Sequence, residues 1–363
     1  MSTVALKPPS PAIRPTRRKR TSSGGGIGRY LLIRFLLIFP TIFILVSMVF
    51  WLMRTTGDPI TAALGGRLSA DQLAERISAA GYDRPVFVQY IEYLGQVFTG
   101  NFGTTISTNR PVSEVLTTYG LATAELVFYS LVVAFIVGIP LGMVAAYWRD
   151  KAPDAFLRVF AILCYATPVF FAGLLLKLVF SVWLGVLPVS GRADVRSELM
   201  MQMLPNKTGL YTIDAIQTGS PAVLGDVLAH AVLPALALGL LTAGVFLRLV
   251  RTNVIGTLGT DYVDAARSRG VNEFRLVRVH AYRPALIPII TVIGLQIALL
   301  LGGAVLTETT FEWQGLGFML IQFIQARDFV AVQGIVALLA VIVALSNFVV
   351  DIIAAVIDPR VRY

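Results

Sequence analysis

The chain is 363 residues long, 56% hydrophobic and 14% charged, with a formal charge of +9 and a mean hydropathy of +0.75. Water-soluble domains carry about 25% charged residues, so the composition excludes an ordinary soluble enzyme, and disorder beyond the N-terminus. Crossing the ~30 Å hydrocarbon core takes about 20 apolar residues, and several such runs are present.

In chain order, residues 1–28 are rich in Pro, Ser, Gly and Arg. They predict a basic, disordered cytoplasmic tail with no cleavable signal sequence. Its "RPTRRKR" (14–20) suits either anionic lipid headgroups or a topological anchor. The uncharged run that follows predicts a first transmembrane helix over 29–54. Residues 55–118 predict an extracytoplasmic helical segment, where Ser69 precedes an amphipathic pattern. The core is expected over 119–357. Its spans follow uncharged windows at 126–148, 155–183 (interrupted by Arg158 and Lys177), 227–247, 284–307 and 329–350. An ordered outer loop is expected over 185–226, a cytoplasmic loop over 248–284 and a cytoplasmic C-terminus over 358–363. The fold class is therefore an all-α polytopic membrane protein with six transmembrane helices. The short alternating segments of a closed β-barrel are absent.

Six spans place both termini on one side. With the termini in the cytoplasm, that side holds 20 of the 30 Lys and Arg residues, against 9 outside, with Lys177 the remaining one. The positive-inside bias thus predicts N-in, C-in. Trp51, Trp148 and Trp183 sit at span ends, where amphipathic rings prefer the interface. The basic residues follow loop sidedness and interleave with no aromatic strand, so nucleic acid is not an expected partner.

Familiar catalytic constellations are missing. None of the five lysines follows a glycine, so there is no Gly-Lys-[Ser/Thr] to cradle phosphates. His230 and His280 are expected on opposite sides, which argues against a histidine metal site. Glu125, Lys177 and Asp351 fall near span ends, where reaching water is cheap. A carboxylate at the midplane, which a proton-coupled carrier would need, is not evident. Glycine and proline recur within the spans instead, permitting bends and close helix approach.

The loop at 248–284 carries seven arginines. Asp261 can cap a short helix over "YVDAARSR", with Gly270 as its left-handed stop. Asn272 then caps a second helix, whose wheel puts Phe274, Leu276, Val277 and Ala281 on one half and Arg275, Arg278 and Arg283 on the other. That second helix is expected to lie against the membrane. The first, with Ala265-Ala266 beside Gly270, is expected to dock on a protein.

"DYVDAARSRG" (261–270) followed by "PALIP" (284–288) resembles the coupling loop of bacterial ATP-binding-cassette importer permeases, in their dipeptide/oligopeptide branch. "GDP" (57–59), "YDRPVFVQY" (82–90), "GNFGTT" (100–105), "GIPLG" (138–142), "ATPVFFAGLLL" (166–176), "LPVSGR" (187–192), "HAVLPALALG" (230–239), "GLQIALLLGGAVLTETTFEWQGLG" (294–317) and "DPRVRY" (358–363) follow in the family's order. The resemblance implies the importer permease fold with an extra extracytoplasmic segment after the first helix, in a bacterial inner membrane. It implies a second, homologous permease subunit, two ATPase subunits that use ATP and Mg2+, and an extracytoplasmic solute-binding protein, among membrane lipid. This chain would bind no cofactor and hydrolyse nothing itself. Asp264, Ala265, Ala266, Arg267, Arg269 and Gly270 occupy the ATPase-coupling positions, with Asp264 where the general motif has glutamate. Thr167, Pro168, Gln296 and Glu308 are the expected pathway or gate residues. The chain departs from the pattern at Asn101, Leu121 and Gln314, where an acid and two prolines are usual. The implied cargo is a di- or oligopeptide. The alternatives are another solute carried by the same machine (a nickel chelate, glutathione, a small glycoside), an ion-gradient carrier, or a membrane-embedded hydrolase.

Overall fold

A computed structural model describes residues 27–55, 57–66 and 68–357. The expected tail lies outside these residues except for 27 and 28, and the expected C-terminus, 358–363, lies wholly outside them. Among the described residues the chain is helical, with one isolated bridge between Thr104 and Pro111. The long helices are α1 (Ile27–Arg54), α5 (Val112–Tyr147), α10 (Pro221–Leu258), α13 (Tyr282–Phe311) and α15 (Phe329–Ile357).

Between α1 and α5 run α2 (Pro59–Leu64), α3 (Ala70–Ala79) and α4 (Val86–Thr99). Ser69 caps α3 in a reciprocal capping box with Gln72, which satisfies two orphan amides at once. The expected outer segment, 55–118, takes in the first turns of α5, which begins at Val112 after Pro111. At ~1.5 Å per residue, α5 and α10 are about 54 and 57 Å long, so both extend well beyond a bilayer core.

The parallel pair α5–α10 is the most extensive contact in the bundle. It is close because Gly138 and Gly142 lie on its seam. A methyl group at Gly138 would meet the Ala243 carbonyl oxygen at 2.7 Å, and one at Gly142 would meet Val250 at 2.7 Å and the Leu247 oxygen at 2.8 Å. Small residues let helix backbones approach where lipid supplies no hydrophobic drive. Gly142→Leu is therefore expected to force the pair apart and cost at least about 1–3 kcal/mol. The check is the yield of monodisperse protein on size exclusion; Gly256→Leu, with open space around it, should behave as wild type.

The expected third span, 155–183, is not one rod. It divides into α6 (Ala152–Ala166) and α7 (Val169–Leu176), the latter prolonged by a π-helical stretch Lys177–Trp183, and the two parts are bent by 106°. Pro168 disfavours helical geometry at Thr167, which is extended at ψ 124°. The broken pair still runs the length of the bundle. At its start Asp154 receives Arg251 Nε at 2.5 Å; at its end Phe180 and Leu187 pack on Leu233 and Phe311. Arg251 and Leu233 are 18 residues apart on α10, about 27 Å of helix. Among the described residues, five long apolar helices and this broken pair thus supply six candidate spans, as the sequence predicts.

α1 packs on α15 and leaves Leu32, Leu36, Phe39, Phe43 and Ile44 exposed. Such a face suits lipid rather than water.

Candidate functional site

At the arginine-rich end of the bundle, α10 leads into α11 (Asp261–Ser268). Thr260 occupies the N-cap position without a side-chain cap bond. Asp261, expected as the cap, is instead the first helical residue, where its charge meets the positive end of the helix dipole. The stop is as expected. Gly270 has φ +82°, Gly270 N donates to Arg267 O at 2.9 Å and Val271 N to Ala266 O at 3.3 Å. That bond pattern is a Schellman motif. Asn272 accepts from Arg275 N at 2.8 Å, capping the next helix.

The turn is braced from both sides. Arg267 Nε donates to Glu273 Oε1 at 2.7 Å, across the Gly270 turn, and Arg267 also bonds Asp264. Glu273, then Asp264, hold the Arg267 guanidinium above its ordinary pKa. Arg269 makes no ion pair among the described residues and is exposed, as are Asp264, Ala265 and Gly270, while Ala266 is half-buried. The two arginines that the sequence treats alike are therefore distinct: one is committed within the loop, the other is presented outward. Val263 anchors α11 inward, fully buried.

The second helix of the loop, α12 (Glu273–Arg275), continues through a π-helical stretch Leu276–Ala281 into α13. Most of its apolar side packs inward, while Phe274 stays 59% exposed. Leu276 is fully buried, Val277 and Ala281 join Phe246, Val250 and Val254 in one core cluster, and Phe274 meets the Tyr147 ring edge-on at 6.2 Å. Leu276, Val277 and Ala281 thus take the bundle as their partner, so α11 stands on a packed base.

At the opposite end a buried polar cluster gathers four segments. Glu308, near the end of α13, is fully buried and accepts from Thr123 Oγ1 at 2.7 Å and Phe318 N at 2.9 Å. Thr123 Oγ1 accepts from Leu316 N at 2.8 Å, and Trp313 Nε1 donates to Ala122 O at 2.9 Å. The turn between α13 and α14 (Leu316–Gln325) is thus tied to α5. Beside it, Arg192 Nη2 donates to Glu125 Oε2 at 2.6 Å, with both side chains nearly inaccessible (6% and 4%). Glu125 also accepts from Thr212 N at 2.8 Å. The Arg192 guanidinium lies 3.6 Å from the centroid of the Tyr211 ring and 5.4 Å from that of Trp313. Glu125 is therefore not a carboxylate reaching for water from a span end. It anchors the outer loop, which contains α8 (Val195–Gln202) and α9 (Tyr211–Gln217).

The expected gate residues fall in two places. Thr167 and Pro168 sit at the 106° break, half-buried and exposed. Gln296 is 5% exposed and Glu308 fully buried, so neither lines open space within this chain, and Glu308 is a tether for the outer turn. Sequence reading missed Arg192, Tyr211, Trp313 and the Asp154–Arg251 pair. Only the long uncharged surroundings of Glu125 hinted that it needs a partner. His230 and His280 do lie at opposite ends. His230 is bracketed by Asp226, 3.2 Å away, and Asp194, 3.7 Å away, while Asp226 O also pairs with His230 Nδ1 at 2.9 Å.

Next to the cluster opens a pocket of about 410 Å³, lined by Arg192, Glu198, Lys207, Tyr211 and Gln314 among others. Leu121 and Gln314, two of the three positions that depart from the resembled pattern, both line it. Burial pushes the Tyr211 phenol above its usual pKa, against the opposing charge of Arg192; it stays protonated and donates to Glu198 at 3.3 Å.

The family described as binding-protein-dependent transport system inner membrane component matches residues 138–363, and its N-terminal companion matches 27–140. The di/tripeptide transport system permease protein DppB of Pseudomonas aeruginosa is 39% identical over 90% of this chain and 96% of its own length. The dipeptide transport system permease protein DppB of Escherichia coli is 36% identical over 92% and 99%. The glutathione transport system permease protein GsiC of Salmonella paratyphi A is 34% identical over 92% and 99%.

Proposed function

Because the chain belongs to the binding-protein-dependent transport system inner membrane component family, a multi-pass membrane permease family, we propose that it forms half of the translocation pathway of an ATP-driven importer of di- and oligopeptides. The other half is a homologous permease subunit. Two ATPase subunits bind ATP and Mg2+ on the cytoplasmic side, and an extracytoplasmic solute-binding protein delivers the cargo. The termini and loop 248–284 lie in the cytoplasm, as the distribution of arginines favours.

The observation that carries the coupling role is α11, an exposed small-residue helix closed by Gly270 and held on a packed base. We place Asp264, Ala265, Ala266, Arg269 and Gly270 against a groove of the ATPase, with Arg267 bracing them from within. Movement of the ATPases on ATP binding and hydrolysis then tilts α11 and the helices continuous with it, α10 and α13. The break at Thr167–Pro168 lets α6 and α7 turn separately, so it is the natural hinge of the pathway. The two ATPase states must hold α11 differently, since equal binding would shift no equilibrium.

The test is uptake by proteoliposomes holding the complete complex and its binding protein. Labelled dipeptide should accumulate when ATP is supplied on the loop side, and a protonophore should leave the rate unchanged. ATP-independent, protonophore-sensitive uptake would replace this reading with an ion-gradient carrier. A second cargo has one specific support, the glutathione permease relative, which matches over the same extent. Uptake of glutathione faster than dipeptide would move the assignment there.

A further inference from the structure

We propose that the pocket between the outer end of α5 and the α8–α9 loop is a binding subsite on the permease itself for the two charged ends of a short zwitterionic peptide. The inference rests on the peptide-import reading and adds to it a place and a recognition chemistry.

The pocket, about 410 Å³, falls in the ~300–1,000 Å³ range of small-molecule sites. Two charged groups on its wall, Lys207 and Glu198, have unused capacity, and Arg192 adds positive charge beside them. Lys207 and Glu198 both line it, yet neither makes an ion pair among the described residues, with each other or with a third group. The Glu198 carboxylate accepts one bond, from the Tyr211 hydroxyl at 3.3 Å. Arg192 is 6% exposed, and its buried Nε has no hydrogen-bond acceptor. A buried guanidinium donor left unpaired is costly and calls for an explanation.

The remaining charges are committed. Glu125 is held by Arg192 and Thr212. Asp214 accepts from Thr208 N at 2.7 Å, Thr208 Oγ1 at 2.8 Å and Gly209 N at 3.0 Å, fixing the loop that carries Lys207. What remains on the wall of one pocket is an ammonium without an ion-pair partner, Lys207, and a carboxylate that accepts a single bond, Glu198, beside the guanidinium of Arg192. A simple anion would meet Glu198, and a simple cation would meet Lys207 and Arg192. A zwitterion satisfies both signs, its carboxylate toward Lys207 and Arg192 and its ammonium toward Glu198. Tyr119, Tyr211 and Met201 supply the apolar wall for a side chain.

The experiment uses the intact complex in lipid nanodiscs, without binding protein, and tritiated alanyl-phenylalanine in equilibrium dialysis. Saturable binding is expected. Lys207→Gln and Glu198→Gln should each weaken it about tenfold, the loss of one charge-assisted bond. In wild type the C-terminal amide should compete about tenfold worse than the free peptide, and Lys207→Gln should erase that difference, because the two changes remove one interaction. Absence of saturable binding by a complex that imports the same dipeptide with its binding protein would overturn the subsite. So would variants that bind as wild type does. A complex that shows these binding preferences but imports only another solute would instead overturn the peptide-import reading and leave the subsite standing.

Discussion

Gly270→Val is expected to cut ATP-driven uptake about tenfold or more while the complex assembles and its ATPase still turns over. The cause is local. Gly270 sits at φ +82° with nothing within 4 Å of where a Cβ would be, so the added side chain meets backbone strain and no collision. A β-branched residue in that region costs roughly 1–3 kcal/mol, and a coupling energy of that size changes a population about 5- to 150-fold. The Schellman bonds to Arg267 and Ala266 then compete with a relaxed turn, and α11 no longer moves as one piece with its base. Gly270→Asn, which tolerates the left-handed region, should retain most of the uptake. Uptake and ATPase rate measured together in proteoliposomes separate the outcomes; valine at wild-type uptake would rule out the turn as a lever.

Arg192→Leu should destabilise the folded chain by about 3–5 kcal/mol, the cost of leaving a buried carboxylate without its counter-charge. Glu125 would keep its bonds from Thr212 and Tyr129 but lose its counter-charge. The double variant Glu125→Gln/Arg192→Leu should recover at least half of that loss. The amide oxygen still accepts from Thr212, and no charge remains buried. Thermal unfolding of the detergent-solubilised chain reads both. Because the pair is shielded from solvent, the difference should persist in high salt. A single variant as stable as wild type would show that the pair contributes nothing to holding the outer loop.

Local signals carried far along this chain. Uncharged windows located the apolar segments, Ser69 its helix start, and Gly270 and Asn272 the turn between the loop helices, because each reports on backbone within one or two turns of itself. The errors have equally physical origins. An aspartate suits both an N-cap and a first turn, so Asp261 could not be separated from Thr260 by residue type. The wheel of the second loop helix registers an apolar face but not what covers it; whether lipid or Phe246 and Val250 does so depends on the close α5–α10 seam at Gly138 and Gly142. The bend at Thr167 needed only Pro168 to suggest it, but its 106° follows from packing on α10 and α13. Least legible were the buried pairs. Glu125 and Arg192 are separated by 67 residues and Asp154 and Arg251 by 97, and nothing near any of these residues announces its partner.

The central claim, that residues 261–270 receive the stroke of a partner ATPase, is met most directly by photo-crosslinking from position 265. Ala265 is exposed on α11, and a photoreactive residue there, in the complete complex, should form a covalent adduct with the P-loop ATPase subunit in a yield that changes when ATP is bound. The same group at position 207, on the opposite end of the bundle, should form none. An adduct at 265 only with lipid or with another membrane subunit, in a complex that imports at the wild-type rate, would contradict the account.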